Sequence, residues 1–230
     1  MALFDHSAKT YDEWCKTPLG SFVDTVEKQM IVELSDLKPG EQALDIGCGT
    51  GIYSLLLALH GLEVTGIDIS SEMLQRAKEK AEKQKQSIHF MEGDIHNLPF
   101  EDNTFDLVIS NLVLEFVDSP NDVIAEGMRV LKPEGRMVVG MIGKKSDWAK
   151  MYKKRGEEKK ESVFAGAHFF SLEDINKLYQ NEPSLTRFGL YVSPHEFISQ
   201  ELAYDLEKER SAKQQEEGAG FIVAQWIALK

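Results

Sequence analysis

Cysteine is nearly absent: the 230 residues include two, Cys15 and Cys48. Two isolated thiols exclude a disulfide framework and give no metal-ligand spacing. Long apolar runs are missing as well. The longest, near residues 137–142 and 221–229, are too short to cross a bilayer. The stretch from Met1 to Trp14 is broken by Asp5, Lys9, Asp12 and Glu13, which is no secretory signal pattern and points to a cytoplasmic protein. Basic residues are outnumbered, 26 Lys and Arg against 38 Asp and Glu, for a net charge of −12. A surface of that sign repels phosphate backbones and disfavours nucleic acid as a partner. No internal repeat or low-complexity tract is present. The length suits one α/β domain with an added subregion, enough to bury a large core.

What the sequence does contain is a glycine turn. Asp45-Ile46-Gly47-Cys48-Gly49-Thr50-Gly51 follows the apolar pair Ala43-Leu44 and reads as a buried strand running into that turn. Residues 52–61 then have the composition of a short helix stopped by Gly61. Glycines at alternate positions let the backbone turn sharply and lie against a ligand with no Cβ in the way. The helix start adds unpaired N–H groups suited to polar or anionic atoms.

Residues 62–70 alternate as a strand and bring Asp68 about twenty residues past the first glycine, where a carboxylate can accept both hydroxyls of a ribose. Residues 88–95 form another strand, with Asp94 beside Gly93. Residues 105–111 are apolar enough for a central parallel strand, and residues 135–141 supply a fifth. Taken singly, the glycines make a tight turn, the two acids make helix caps and Cys48 makes a packing residue. Their joint placement at successive strand ends is where open α/β sheets bind ligands.

The run Leu44-Asp45-Ile46-Gly47-Cys48-Gly49-Thr50-Gly51 resembles the first motif of class I S-adenosylmethionine-dependent methyltransferases. Gly66-Ile67-Asp68-Ile69-Ser70, the segment from Gly93 through Asp94-Ile95-His96 to Phe100, and Arg129-Val130-Leu131-Lys132-Pro133-Glu134-Gly135 resemble three further motifs in the family's order. The likeness covers residues 40–143 and is nearest to the ubiquinone and menaquinone-biosynthesis-like group of small-molecule enzymes. It implies a Rossmann-like, doubly wound α/β fold: a seven-stranded sheet, mostly parallel with an antiparallel last strand, plus helical cap segments. Glu134 stands where many relatives carry glycine, and Glu115-Phe116 where many carry histidines.

By the same resemblance the cofactor is S-adenosylmethionine. Asp45, Gly47, Cys48 and Gly49 would surround its methionine portion and Asp68 its ribose. Asp94 and Ile95 would meet the adenine edge, and Ile69 and Met73 its faces. Asn111 would line the passage to the acceptor. Tyr11 resembles an N-terminal tyrosine that closes over the methionine end in some relatives.

The rest of the chain reads as a single domain with attachments. Residues 1–39 predict a helical cover, with Phe22, Val23, Val26, Met30, Ile31 and Leu34 at helical spacing before Lys38-Pro39-Gly40. A helix over 71–86 buries Met73, Leu74 and Ala77 and ends in a solvated charged face. Ser119-Pro120-Asn121-Asp122 and Ser171-Leu172-Glu173-Asp174 read as helix starts. Residues 144–170 interleave basic residues with Trp148, Met151 and Tyr152 and form a candidate lid; the plainer reading is an amphipathic helix with a wet face. Residues 171–230 end in strand 186–192, a charged helix over 196–217 and strand 220–229.

The expected reaction is in-line displacement of the sulfonium methyl onto a small-molecule acceptor. It demands alignment and water exclusion, with no metal and no covalent intermediate. Ser110-Asn111-Leu112-Val113-Leu114 lacks the Pro-Pro-aromatic signature of enzymes acting on exocyclic base or glutamine nitrogens. That leaves oxygen, carbon or small-molecule nitrogen as acceptor atom. His168, His195 and Glu115 are the candidate general bases, and the sequence assigns the catalytic role to none of them. Two alternatives belong to other classes. A nucleotide-dependent oxidoreductase would call for Gly-x-Gly-x-x-Gly spacing, which Gly47, Gly49 and Gly51 do not have. A non-catalytic S-adenosylmethionine-binding module would keep the same site.

Overall fold

The computed structural model describes residues 12–159 and 161–229. Seven strands form one sheet in the order β3-β2-β1-β4-β5-β7-β6: β1 Gln42–Ile46, β2 Glu63–Asp68, β3 Ile88–Glu92, β4 Phe105–Asn111, β5 Leu131–Ile142, β6 Leu185–Gly189 and β7 Phe221–Ile227. Strands β1 to β5 pair in parallel, and β7 runs antiparallel to both β5 and β6. The chain winds outward from β1 to β3 and then returns to place β4 on the other side of β1. That reversal opens a crevice at the carboxyl ends of β1 and β4.

Helices cover both faces. The first, α1 (Pro18–Ser35), starts where Thr17 accepts from the Gly20 amide at 3.0 Å and Pro18 supplies a preset φ. It ends at Asp36, whose φ is +43. The buried Arg136 guanidinium donates to the Ser35 and Asp36 carbonyls there and pairs with Glu41, satisfying the orphan acceptors of the helix end. Then come α2 (Ile52–Leu59), α3 (Ser71–Lys83), α4 (Pro120–Val130), α5 (Asp147–Glu158), the short α6 (Leu172–Ile175) and α7 (Gln200–Ser211). Phe22 of α1 meets Tyr204 of α7 edge-on at 5.1 Å. Among the described residues no helix is long and apolar enough to cross a membrane.

Several boundaries differ from the sequence reading, among them β6, which is Leu185–Gly189 rather than 186–192, and α3, which ends at Lys83 rather than 86. Strand β5 starts at Leu131 rather than Gly135, because Phe105 pairs with Leu131 before a register shift in the ladder. The C-terminal helix spans Gln200–Ser211 rather than 196–217. Ser199 caps it by accepting from the Leu202 amide, while Glu196 serves the Ser193 amide and Arg210 instead. The helix from Ser171 has its capping box but only four residues.

Candidate functional site

All three turn glycines have positive φ: +68 at Gly47, +51 at Gly49 and +78 at Gly51. A Cβ on Gly47 would lie 2.5 Å from a Val113 methyl, and one on Gly51 would lie 2.9 Å from Ala77 Cβ. Gly47 therefore admits the loop after β4, and Gly51 lets α2 pack against α3. Gly49 differs. A Cβ there would meet nothing within 4 Å, so this glycine presents bare backbone to the crevice. Asp45 lies beneath the turn and accepts from Ser54 Oγ at 2.6 Å, tying β1 to the first turn of α2. Burial, with the Asp68 charge adding to it, pushes the Asp45 carboxyl up to about 7 against the Ser54 hydrogen bonds. Cys48 is buried among Leu55, Leu74, Ala77 and Phe90, and burial holds its thiol well above the usual range.

At the end of β2, Asp68 accepts from the Gly49 amide and from the Ser70 amide, each at 2.8 Å. Its neighbour Ile69 is 65% exposed, an apolar side chain left on the surface beside the acid. Met73 is buried to 6% exposure, so of this pair Ile69 presents surface to the crevice. Asp94 is exposed at the end of β3 and bonds both the amide and Nδ1 of His96, which lowers its pKa. Ile95 behind it joins the core.

Asn111 ends β4 opposite Gly140, over which its side chain lies; Asn111 Oδ1 is buried without a hydrogen-bond partner among the described residues. The chain then turns through Leu112, at φ +55, to Val113 and the short 3-10 turn Leu114–Phe116. Tyr11 lies outside the described residues. Next to it in sequence, Asp12 Oδ1 accepts from Thr50 Oγ1 at 2.8 Å and from Lys80 Nζ at 2.6 Å. That contact pins the N-terminal segment to the glycine turn.

The 144–170 segment is partly anchored. Trp148 donates its indole N–H to the Val192 carbonyl at 3.0 Å, and Phe170 is fully packed in the main core. Several of its basic residues are neutralised in pairs: Lys144 with Asp174, Lys145 with Glu216, Lys150 with Asp147. Tyr152 stacks on Phe164 with centroids 4.2 Å apart, and Phe116 lies 6.0 Å from the same ring. Of the candidate bases, Glu115 is buried and accepts from the amide of Ile142, a residue that clusters with Phe169, Tyr152 and Phe164, and the His168 amide donates to the Glu115 carbonyl at 2.9 Å. His195 lies away from it, beside Lys154 and Arg155 on the outer face of α5.

Two residues not singled out from the sequence join Glu115. Glu27 of α1 is buried, and Tyr53 of α2 and the Glu115 charge both act on its carboxyl. The signal was present: Glu27 falls four residues after Val23 and four before Ile31, a carboxylate on an apolar stripe.

A family pattern described as a methyltransferase domain matches residues 44–139. An uncharacterized protein of Methanocaldococcus jannaschii is 31% identical over 175 residues, covering 76% of this chain and 77% of that one. A demethylmenaquinone methyltransferase of Staphylococcus haemolyticus is 41% identical over 49% of this chain and 48% of its own; the chain thus spans about half the length of that relative. A solved S-adenosylmethionine-dependent methyltransferase from Thermotoga maritima superposes with a TM-score of 0.74 over 98% of both chains at 21% identity, a likeness of fold. The matched pattern spans the strands that carry the glycine turn and both strand-end acids, and the chain belongs to the class I S-adenosylmethionine-dependent methyltransferases, with S-adenosylmethionine as its cofactor.

Proposed function

We propose that this methyltransferase acts on a small-molecule acceptor, with the cofactor lying across the β1–β4 crevice. The observation that carries the reading is the conjunction at Gly49 and Asp68. Bare backbone faces the crevice beside a carboxylate already hydrogen-bonded to it, with exposed Ile69 next in sequence. Those groups fit a ligand that offers polar atoms to a turn, a diol to an acid and an apolar ring face. When bound, the cofactor supplies an electrophilic methyl on a sulfonium.

The protein's own part is to bind, align and exclude water. The turn at 45–49 would hold the methionine portion, with Asp45 acting through its bond to Ser54 and Cys48 through its backbone. Asp68 is the acid placed to accept the ribose hydroxyls, since a carboxylate offers two acceptor oxygens to a vicinal diol. Ile69 and the Asp94-Ile95 segment would contact adenine, with Met73 supporting them from beneath. The unpartnered Asn111 Oδ1 suits a donor from cofactor or acceptor at the strand end. The 144–170 segment and α1 would cover the acceptor side and keep water from the displacement.

Calorimetric titration with S-adenosylmethionine and separately with NAD tests the cofactor site. Detection of S-adenosylhomocysteine across an acceptor screen tests turnover. Binding of NAD in preference would favour the oxidoreductase reading. Binding of S-adenosylmethionine without any turnover would favour a non-catalytic module.

A further inference from the structure

We propose that the acceptor is a protonated amine, held by the carboxylates of Glu27 and Glu115 inside a group of aromatic rings, and that Glu115 takes its proton ahead of methyl transfer. This rests on the methyl-transfer reading above.

The two acids come from distant parts of the chain, and the charge of Glu115 acts on Glu27. Glu115 is 1% exposed. Its Oε1 accepts from the Ile142 amide at 2.6 Å, and its Oε2 has no hydrogen-bond partner among the described residues. Glu27 is 7% exposed, and its carboxyl feels Tyr53, which stands in the first turn of α2 just after Gly51. Lys28, the next residue in sequence, is itself tied to Asp24 at 2.6 Å. Among the described residues neither acid has a Lys or Arg partner in a salt bridge.

Burying two like charges without a cation is unfavourable, and an apolar pair would serve the core better. Glu207 bonds the amides of Tyr191 and Val192 through one oxygen and leaves the other unpartnered among the described residues, with the Arg210 charge acting on it. Glu115 spends one oxygen on the Ile142 amide and leaves the other unpartnered among the described residues.

The surroundings fit a cation. Phe116 follows Glu115 directly, and Phe164, Tyr152 and Phe169 form a continuous aromatic group beside it. Aromatic faces attract ammonium groups, more strongly when water is excluded. The site also adjoins the cofactor turn: Val113, two residues before Glu115, fills the space left by Gly47. A net charge of −12 draws cationic solutes toward the molecule.

The chemistry balances. An ammonium R–NH3+ gives one proton to the Glu115 carboxylate and becomes R–NH2. The nitrogen lone pair forms the N–C bond to the sulfonium methyl as the C–S bond breaks. The C–S electron pair stays on sulfur, leaving S-adenosylhomocysteine, and the product leaves as R–NH2+–CH3. The proton on Glu115 then passes to solvent. Burial pushes Glu115 up to about 7, close to where a base works best at neutral pH. Glu27 is pushed up to about 8 by burial, then by Asp24 and Glu115, against Lys28 and Tyr53, so it keeps its proton in the empty site at neutral pH and ionises when the ammonium binds beside it.

The test uses the full-length protein saturated with S-adenosylmethionine and matched probes: benzylamine, phenethylamine and tryptamine against benzyl alcohol, phenethyl alcohol and tryptophol. Binding is read by calorimetry and turnover by S-adenosylhomocysteine release. The expected result is that at least one amine binds tenfold or more tightly than its alcohol and is methylated on nitrogen. Glu27→Gln and Glu115→Gln should each cut that preference at least tenfold while cofactor affinity stays within twofold, which also verifies folding. Glu115→Gln should remove the acidic limb of the kcat profile near pH 7, and Glu115→Asp should restore part of it. Equal affinity for amines and alcohols, no amine bound, or a preference surviving in Glu115→Gln overturns the proposal. Loss of S-adenosylmethionine binding by the unmodified protein would instead overturn the parent reading.

Discussion

The amide of Gly49 donates to Asp68 Oδ2 at 2.8 Å, so this strand-end acid and the glycine turn are one hydrogen-bonded unit although nineteen residues separate them in sequence. The second oxygen holds the Ser70 amide at the entry to α3. Asp68 thus shapes the crevice before any ligand arrives, and its charge-assisted bonds to a diol would add to that.

Asp68→Ala should therefore weaken S-adenosylmethionine binding at least tenfold, since each lost bond to a charged group is worth roughly 1.5–3 kcal/mol. Asp68→Asn, which keeps one acceptor oxygen, should fall between the two. Calorimetry on variants of native circular dichroism measures this; unchanged affinity in Asp68→Ala would remove the residue from the site.

Gly47 and Gly49 should separate stability from binding. At Gly47 an added Cβ strikes Val113, and the φ of +68 is already strained for an L residue, so Gly47→Ala should lower stability by roughly 1–3 kcal/mol. At Gly49 the Cβ meets no protein atom, so Gly49→Ala should cost about 1 kcal/mol of stability and a larger share of affinity. Thermal melts paired with titration decide it. A Gly49→Ala variant that binds normally would mean the ligand does not lie on this backbone.

Much of this was legible in the sequence, for identifiable reasons. Strands β1, β2, β4 and β5 are buried apolar runs punctuated by glycine or an acid, and each strand end carries its own polar mark. Residue-level burial was less legible. Met73 and Ile69 look alike as candidates for the adenine faces, yet helix α3 turns Met73 inward while Ile69 stays exposed. The basic residues of 144–160 read as the wet face of an amphipathic helix or as a positive lid, and the partners of Lys144 and Lys145, Asp174 and Glu216, lie far along the chain where only the fold brings them near. Glu27 was passed over because helical spacing alone marks apolar neighbours, and a single acid among them carries no sign of Glu115 ninety residues away.

The cover should respond to cofactor. Trp148 and Phe170 are buried in the core, whereas Tyr152 and Phe164, stacked on one another, pack against its edge. Hydrogen exchange with and without S-adenosylmethionine should show added protection over 151–167 and little change near 148 and 170. Equal exchange across the segment in both states would leave it as ordinary packed structure.

Glu134 offers a test of backbone strain away from the chemistry. It is exposed, its φ is +63, and its amide is fixed to the Ala228 carbonyl at 2.9 Å. That conformation explains why glycine suits the position. The left-handed region costs an L residue about 1–2 kcal/mol, and glycine gives back about 0.5–1 kcal/mol through its looser unfolded chain. Glu134→Gly should then stabilise by about 0.5–1 kcal/mol with cofactor affinity unchanged. A lower melting temperature in the variant would mean the Glu134 side chain does more than its exposure implies.

Three buried acids should make the cofactor-free protein lose stability as pH rises through the neutral range. Burial lifts Asp45 and Glu115 to about 7 and Glu27 to about 8, above ordinary carboxylate values near 4. Glu27 faces Asp24, Lys28, Tyr53 and Glu115; Asp45 faces Ser54 and Asp68; Glu115 faces the Ile142 amide. Below about pH 4 folded and unfolded chains both hold these protons, and their stabilising effect is fully present. As pH climbs, the unfolded chain releases protons that the folded one keeps, so stability falls until the folded groups ionise near 7–8. Acids held low by partners, such as Glu126 beside Arg129, act in a separate window and lose their contribution only as pH drops through the acid range. The melting temperature should therefore be higher at pH 5.5 than at pH 8. Glu115→Gln keeps an oxygen for the Ile142 amide and removes the charge. It should raise stability at pH 8 by roughly 1–3 kcal/mol, several degrees for a chain of this size, and do little at pH 4.5. A variant that shifts the melting temperature equally at both pH values would show that the Glu115 charge is not what destabilises the neutral protein.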